Sequence, residues 1–183
     1  VTVNVSQLVP TDRDGVFSAG NSDVFPGDAK RATCEVTQNI IQLNKLAALM
    51  NWEHIYCKEE VWKKILKENQ FYNTSFTDLA TCQAAITVCE LLVARTGTIV
   101  LSSAGESGRT ASVYAPVHIC IAHTSQLVYD IKDALLQLKE KYAGKFPSLI
   151  SFATGPSRTA DIEKTLVTGV HGPKEVFCFL VEG

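Results

Sequence analysis

A polar turn near the carboxyl end of the chain carries residue types that suit an anion. An apolar strand, Leu149–Ala153, is predicted to enter the turn Thr154–Thr159 (TGPSRT), and a short helix is predicted over Thr159–Leu166. In α/β sheets, ligands collect where strands end and helix N-termini present unpaired N–H groups. Together with hydroxyls and a guanidinium, such N–H groups suit a carboxylate or phosphate. The predicted ligand-binding residues here are Gly155, Ser157, Arg158, Thr159 and Asp161.

The same residues also have a purely structural interpretation. Ser157 or Thr159 can cap the predicted helix, and Arg158 can pair with Asp161 or Glu163. The chain has neither a Walker lysine nor a G-x-G-x-x-G segment, so no motif supports nucleotide binding.

A histidine lies in the next turn, Thr168–Pro173 (TGVHGP), which leads into the last predicted strand. His171 between glycines is expected to reach solvent and to titrate near neutrality, as a general acid or base does. Gly172 beside it is a further predicted ligand contact. The alternative is an exposed histidine that takes no part in chemistry. We predict that the two turns converge on one electropositive surface at the edge of the sheet.

A third polar segment lies in the middle of the chain. The turn Thr96-Gly97-Thr98 and the loop at 102–109 (SSAGESGR) are predicted to form a polar rim. Glu90 lies among apolar residues, where a carboxylate is costly to bury without a partner, and Arg95 is the candidate partner. The predicted ligand contacts of this segment are Thr96, Gly97, Thr98 and Arg109.

Metal ligands are not predicted from the residue spacing. The six cysteines are scattered without any C-x-x-C pair, which favours reduced thiols in the core. His118 and His123 are five residues apart on one predicted strand, so they are expected on opposite faces.

The elements that position these segments alternate between helix and strand at both ends of the chain. This order implies parallel pairing through right-handed crossovers, with a hairpin-like patch in the middle. The predicted class is therefore α/β, a layered sheet in one domain over residues 31–183. The other predicted helices are Ala29–Met50, Glu59–Glu68 and Ser125–Ala143, with a short helix or turn at Thr77–Gln83. The other predicted strands are His54–Cys57, Ala85–Val88, Leu91–Ala94, Thr98–Leu101, Val117–Ala122 and Glu175–Val181.

Residues 1–30 are rich in Asp, Gly, Ser and Pro, and we predict an irregular arm. The apolar groups of the arm are expected to pack on the chain's own core. The alternative is that the arm packs around a second subunit of a homodimer.

Composition disfavours several classes of partner. The 183 residues are 46% hydrophobic and 20% charged, with a formal net charge of −2, so neither a nucleic-acid groove nor a basic membrane surface is expected. The longest uncharged stretch, Thr110–Tyr129, contains a proline and two histidines and makes a poor membrane span. With no visible signal peptide, a cytoplasmic location is predicted.

Four sequence blocks, in this order and spacing, resemble the signature of the LUD domain family. The similarity extends over Thr77–Val181. That family commonly has an acidic residue at the position of Arg95, so no role is carried over to that residue. The blocks are ARTGTIVL at Ala94–Leu101, APVHICIA at Ala115–Ala122, GPSRTADIE at Gly155–Glu163 and GVHGP at Gly169–Pro173.

The resemblance implies a fold similar to the sugar-phosphate isomerase and CoA-transferase group. It also implies a role in oxidising L-lactate to pyruvate together with companion iron–sulfur proteins. The clusters would lie in those partners, and this chain would hold no cofactor of its own. Whether the chain is itself catalytic stays open. The alternatives are a stand-alone enzyme acting on a small carboxylate or phosphorylated substrate, and a regulatory or structural binding module.

Overall fold

The computed structural model describes residues 2–4, 8–10, 17–19, 36–71, 78–162 and 165–182, and it has the predicted α/β architecture. Within these ranges, no helix combines the length and apolar character needed to cross a bilayer. The helices are α1 (Val36–Leu49), α2 (Glu60–Glu68), α3 (Ala111–Tyr114) and α4 (Ile131–Tyr142). The strands are β1 (Thr2–Asn4), β2 (Leu8–Pro10), β3 (Phe17–Ala19), β4 (Ile55–Cys57), β5 (Ala84–Val88), β6 (Leu91–Val93), β7 (Thr98–Ser102), β8 (Val117–His123), β9 (Leu127–Val128), β10 (Ile150–Ala153), β11 (Arg158–Ile162), β12 (Thr165–Thr168) and β13 (Glu175–Val181).

The main sheet has five strands in the order β1-β13-β8-β5-β4. Strands β13, β8, β5 and β4 run parallel, as predicted, and β1 adds an antiparallel edge to β13. Strands β5 and β8 are buried along almost their whole length because both faces of the sheet are covered. Most of the predicted N-terminal arm lies outside the described residues.

A second sheet of four strands has the order β10-β7-β6-β9. Its centre is the antiparallel β6–β7 hairpin, which confirms the hairpin-like patch predicted in the middle of the chain. The turn of this hairpin contains Gly97 at φ +63°, a left-handed conformation that glycine adopts without a Cβ clash.

The two sheets and their helices form four layers. Side chains alternate along β8, so Ile119 packs towards α1 and α2, while Cys120 faces the second sheet. The outer face of the second sheet is covered by α4 through Ala134 and Leu138. Among the described cysteines, all five are buried and free, as expected for core thiols; Cys34 lies outside the described residues.

Two helices differ from prediction in their details. Helix α2 begins at Glu60, one residue later than predicted, and it buries Trp62 and Leu66, whereas Val61 is 70% exposed. Helix α4 begins at Ile131 because Asp130 caps it by accepting a hydrogen bond from the backbone N–H of Lys132. The residues before it, predicted as helix, form a short 3-10 helix (Thr124–Gln126) and strand β9.

The short helix predicted over Thr159–Leu166 is wrong. This segment forms an antiparallel pair of strands, β11 and β12, with Thr159 opposite Val167. The segment contains several β-branched residues, which lose side-chain freedom in a helix and fit a pleated strand.

Candidate functional site

The two turns singled out in the sequence lie against each other. The backbone N–H of Ser157 donates to the carbonyl of Pro173 at 2.9 Å, and the N–H of Gly169 donates to the carbonyl of Ser157 at 3.0 Å. A Cβ added at Gly172 would lie 3.1 Å from the Cβ of Ser157. The backbones of the two turns therefore meet, while their convergence on one electropositive surface stays a prediction.

One structural feature behind the predicted anion site at these turns is not observed. With β11 in place of a helix there is no helix N-terminus, and the N–H of Ser157 is already bonded. Arg158 and His171 both have exposed side chains. The side chain of Asp161 lies outside the described part of the structure. The ligand-binding role of Gly155, Ser157, Arg158, Thr159, Asp161 and Gly172, and the catalytic role of His171, stay predictions.

Gly169 follows strand β12 directly and has a positive φ. Its φ is +79°, and an added Cβ would lie 2.2 Å from the Cγ of Lys174. We expect Gly169→Ala to lower the free energy of unfolding by about 1–2 kcal/mol, measured by denaturant titration. The control is Gly105→Ala, whose added Cβ would meet only the carbonyl of Ser102, at 3.8 Å. Equal losses in both variants would contradict this account.

The turn of the β6–β7 hairpin is linked to the end of β10 by hydroxyl groups. The Oγ1 atoms of Thr96 and Thr98 are 2.6 Å apart, and Thr98 Oγ1 lies 2.8 Å from Thr154 Oγ1. This link forms because β10 pairs with β7, with Ala153 opposite Ile99. The structure thus brings two of the predicted segments together, but the hydroxyl groups at their contact hydrogen-bond to each other. Ligand contacts by Thr96, Gly97 and Thr98 remain a prediction.

The fourth predicted contact of that segment, Arg109, points its guanidinium to the segment before β10. It donates a hydrogen bond to the hydroxyl of Ser148. Its role as an anion contact is likewise still a prediction.

Glu90 has a different partner from the one expected. Its Oε2 pairs with Lys141 Nζ at 2.5 Å, while its Oε1 accepts from Ser102 Oγ at 2.5 Å and from Tyr142 Oη at 2.6 Å. Arg95 instead pairs with Asp130, with Nε and Oδ2 2.9 Å apart. The predicted Glu90–Arg95 pair is wrong because the two residues flank β6, one at each end. Glu90 pairs with a residue of α4, and Arg95 pairs with the residue that caps α4.

These contacts keep the Glu90 carboxylate ionised. Burial raises the pKa of Glu90, but the hydrogen bonds from Lys141, Ser102 and Tyr142 outweigh burial, so the net pKa is lowered. The hydrogen bond to Glu90 raises the pKa of Lys141. Burial, and then the same carboxylate, raises the pKa of Tyr142.

A cavity of about 340 Å³ lies beside this network, at the carboxyl ends of β4 and β5. Its wall includes two carboxylates, Glu59 and Glu90, each two residues beyond the end of its strand. The carboxyl ends of parallel strands are the usual ligand-binding edge of α/β sheets, and the size is within the range of small-molecule sites. Lys141, Tyr142, Ser102 and Ser112 also line it. Across the described ranges, no group of three or more His, Cys, Asp or Glu is placed to hold a metal ion.

Sequence reasoning did not find this cavity. Glu59, Ser112, Lys141 and Tyr142 were not singled out, and Glu90 was noted only for its burial. One signal was available: Glu59 and Glu90 each follow a predicted strand closely, and neighbouring parallel strands end at the same edge.

Comparison with known proteins shows the family. The LUD domain model matches residues 44–181, which is more than half of the chain. The chain belongs to the LUD domain family. The similar proteins include a lactate utilization protein C from Bacillus licheniformis, 39% identical over 99 residues that make up 53% of this chain and 41% of that protein. Another, from Halalkalibacterium halodurans, is 36% identical over 124 residues, or 67% and 51% of the two chains.

The matches differ in how much of each protein they cover. This LUD-family chain spans about half, or less, of the length of those two relatives. A lactate utilization protein C from Bacillus velezensis aligns over 98% of this chain and 74% of its own length, at 29% identity. A solved structure of a DUF162 family protein from Deinococcus radiodurans has a TM-score of 0.43 and 18% identity, covering 82% of this chain and 99% of that one.

Proposed function

We propose that this chain is a component of a lactate-utilization system and supports the oxidation of L-lactate to pyruvate together with iron–sulfur partner proteins. The observation that carries the proposal is the LUD domain match over residues 44–181. Relatives with the name lactate utilization protein C, at 36–39% identity, support the same assignment. In this proposal the iron–sulfur clusters belong to the partners, and the chain acts in the cytoplasm.

We further propose that the turns carrying Arg158 and His171 form the surface that holds an anion or docks a partner. Both side chains are exposed, and neither makes an ion pair with a side chain that the structure describes, a set that leaves out Asp161. The contact between Ser157 and Pro173 holds the two turns together. An exposed cationic side chain on a turn that is held in place can form an ion pair with an acidic group of a partner.

Deletion and capture experiments test the proposal. Loss of the encoding gene is expected to abolish growth on L-lactate while leaving growth on glucose intact. The tagged chain is expected to capture the iron–sulfur proteins from a lactate-grown culture. Normal lactate growth after deletion, together with no captured partner, would reject the proposal.

A double variant, Arg158→Ala with His171→Ala, tests the docking surface itself. Because both side chains are exposed, we expect the free energy of unfolding to change by no more than about 0.5 kcal/mol. Association with the partner should weaken about tenfold, from loss of the charge contacts. Lys145→Ala, at another exposed basic residue, is the matched control and should leave association unchanged. Unchanged association in the double variant would exclude these turns as the docking surface.

The second candidate is a stand-alone enzyme on a small carboxylate or phosphorylated substrate. The observation that favours it is the contact between the two turns. In this candidate Arg158 would clamp the anion and His171 would act as the acid and base. It predicts turnover by the purified chain without partners, and a lower kcat in His171→Ala with unchanged stability. Absence of turnover across such substrates would reject this candidate.

A further inference from the structure

A buried glutamate, Glu59, lines the cavity beside Glu90, and one of its carboxylate oxygens has no donor among the described residues. Glu59 is 7% exposed, and its Oε1 accepts hydrogen bonds from the backbone N–H of Ser107 at 3.2 Å and from Ser107 Oγ at 2.6 Å. Nothing in the described part of the chain donates a hydrogen bond to Oε2 or pairs with it as a cation. A buried carboxylate is unfavourable when one of its oxygens lacks a hydrogen-bond donor. The cavity beside Glu59 therefore favours a ligand that supplies a hydrogen-bond donor.

The charges on the wall indicate which kind of ligand fits. Glu90 is matched by Lys141, whereas Glu59 has no cation beside it among the described residues. The two carboxylates and one ammonium leave the cavity with one net negative charge. This charge repels an anion and does not penalise a neutral molecule.

The remaining polar groups of the wall include both hydrogen-bond donors and acceptors. Glu59 offers an acceptor, and Lys141 retains N–H donors beyond the one that it gives to Glu90. Ser112 carries a hydroxyl that bonds to no other described residue and can both donate and accept. A ligand hydroxyl also donates and accepts, so a ligand with several hydroxyls can bond to both kinds of group. Val88 and Leu101 supply apolar wall for carbon–hydrogen surface.

We propose that this cavity binds a small neutral polyol or sugar, whose neighbouring hydroxyls donate to Glu59 and accept from Lys141. This site is separate from the Arg158 and His171 turns, and its ligand differs from lactate in having no charge. The proposal therefore goes beyond the lactate-utilization role and does not depend on it.

The test compares two probes that differ chiefly in charge. Sorbitol and gluconate share a six-carbon hydroxylated chain, but gluconate carries a carboxylate at one end. Ligand-observed NMR titration of the full chain is expected to show saturable binding of sorbitol, with gluconate about tenfold weaker and L-lactate unable to compete. Tighter binding of gluconate or lactate than of sorbitol would overturn the proposal. Absence of sorbitol binding up to its solubility would overturn it as well.

Three variants tie the binding to the cavity. Glu59→Gln replaces the free acceptor by an amide and should weaken sorbitol binding about tenfold. Glu140→Gln is the matched control, because Glu140 is exposed, is not part of the wall and makes no side-chain hydrogen bond or ion pair with another described residue. Ser112→Leu fills the cavity without altering Glu59, and it provides the same test if Glu59→Gln does not fold. Sorbitol binding that is not weakened in Ser112→Leu, or not weakened in a folded Glu59→Gln variant, would overturn the proposal.

Discussion

Acidification from neutral pH to pH 4 is expected to lower the free energy of unfolding by about 3 kcal/mol through a single buried histidine, His118. His118 lies within β8, is 1% exposed, and has its Nε2 2.8 Å from the hydroxyl of Thr87. Burial lowers the pKa of His118 from 6.5 to about 4. At His118 the unfolded chain therefore binds a proton near pH 6.5, whereas the folded chain binds it only near pH 4. The contribution of His118 to the free energy of unfolding is complete well above pH 6.5 and is lost progressively as the pH falls towards 4.

Denaturant titrations at half-unit pH steps measure this effect. The interval between pH 6.5 and 4.5 isolates the histidine. The pKa of Glu90 is lowered in the folded chain, so the contribution of Glu90 to stability is lost only as the pH falls below the ordinary glutamate pKa of 4.5. His118→Asn should remove the slope in this interval. His123→Asn, at the half-buried end of the same strand, is the matched control and should keep it. A slope that persists in His118→Asn would show that another group is responsible.

The central strands could be predicted from the sequence because burial on both faces produces continuous apolar runs. Strand β13 was predicted over its observed range, and β8 to within one residue. In such runs, local residue preference and tertiary burial favour the same conformation. The α/β class and the parallel order followed from the alternation of these strands with helices.

The segments that were predicted wrongly are those whose conformation depends on a partner distant in sequence. Residues 127–128 pair with β6 and so lie outside α4, although their apolar spacing continues that of the helix. The β11–β12 pair replaced a predicted helix for the same reason. The cavity could not be assembled from spacing either, since Glu90 meets Lys141 across 51 positions and Ser102 meets Tyr142 across 40.

Replacing Glu90 by alanine is expected to lower the free energy of unfolding by about 2–3 kcal/mol at neutral pH, because one side chain accepts hydrogen bonds from three donors. The side chain is only 10% exposed, so water cannot fully replace these bonds. Glu90→Gln keeps the shape and one acceptor oxygen for Ser102 and Tyr142, and should lose about 1 kcal/mol. Urea titration of both variants measures the difference. Equal stability of the alanine variant and the parent chain would show that the network contributes nothing.

The pH dependence of Lys141→Met separates the ion pair from the rest of the network. Without the ammonium, burial is opposed by fewer hydrogen bonds, so the pKa of Glu90 should rise relative to the parent chain. The variant then takes up a proton at Glu90 before the parent does, and its stability deficit should shrink as the pH falls below about 4.5. Lys139→Met, on the same helix and not part of the cavity wall, is the matched control and should show no such convergence. A deficit in Lys141→Met that is constant across pH would mean that the lysine acts by packing its methylene chain rather than by holding the Glu90 charge.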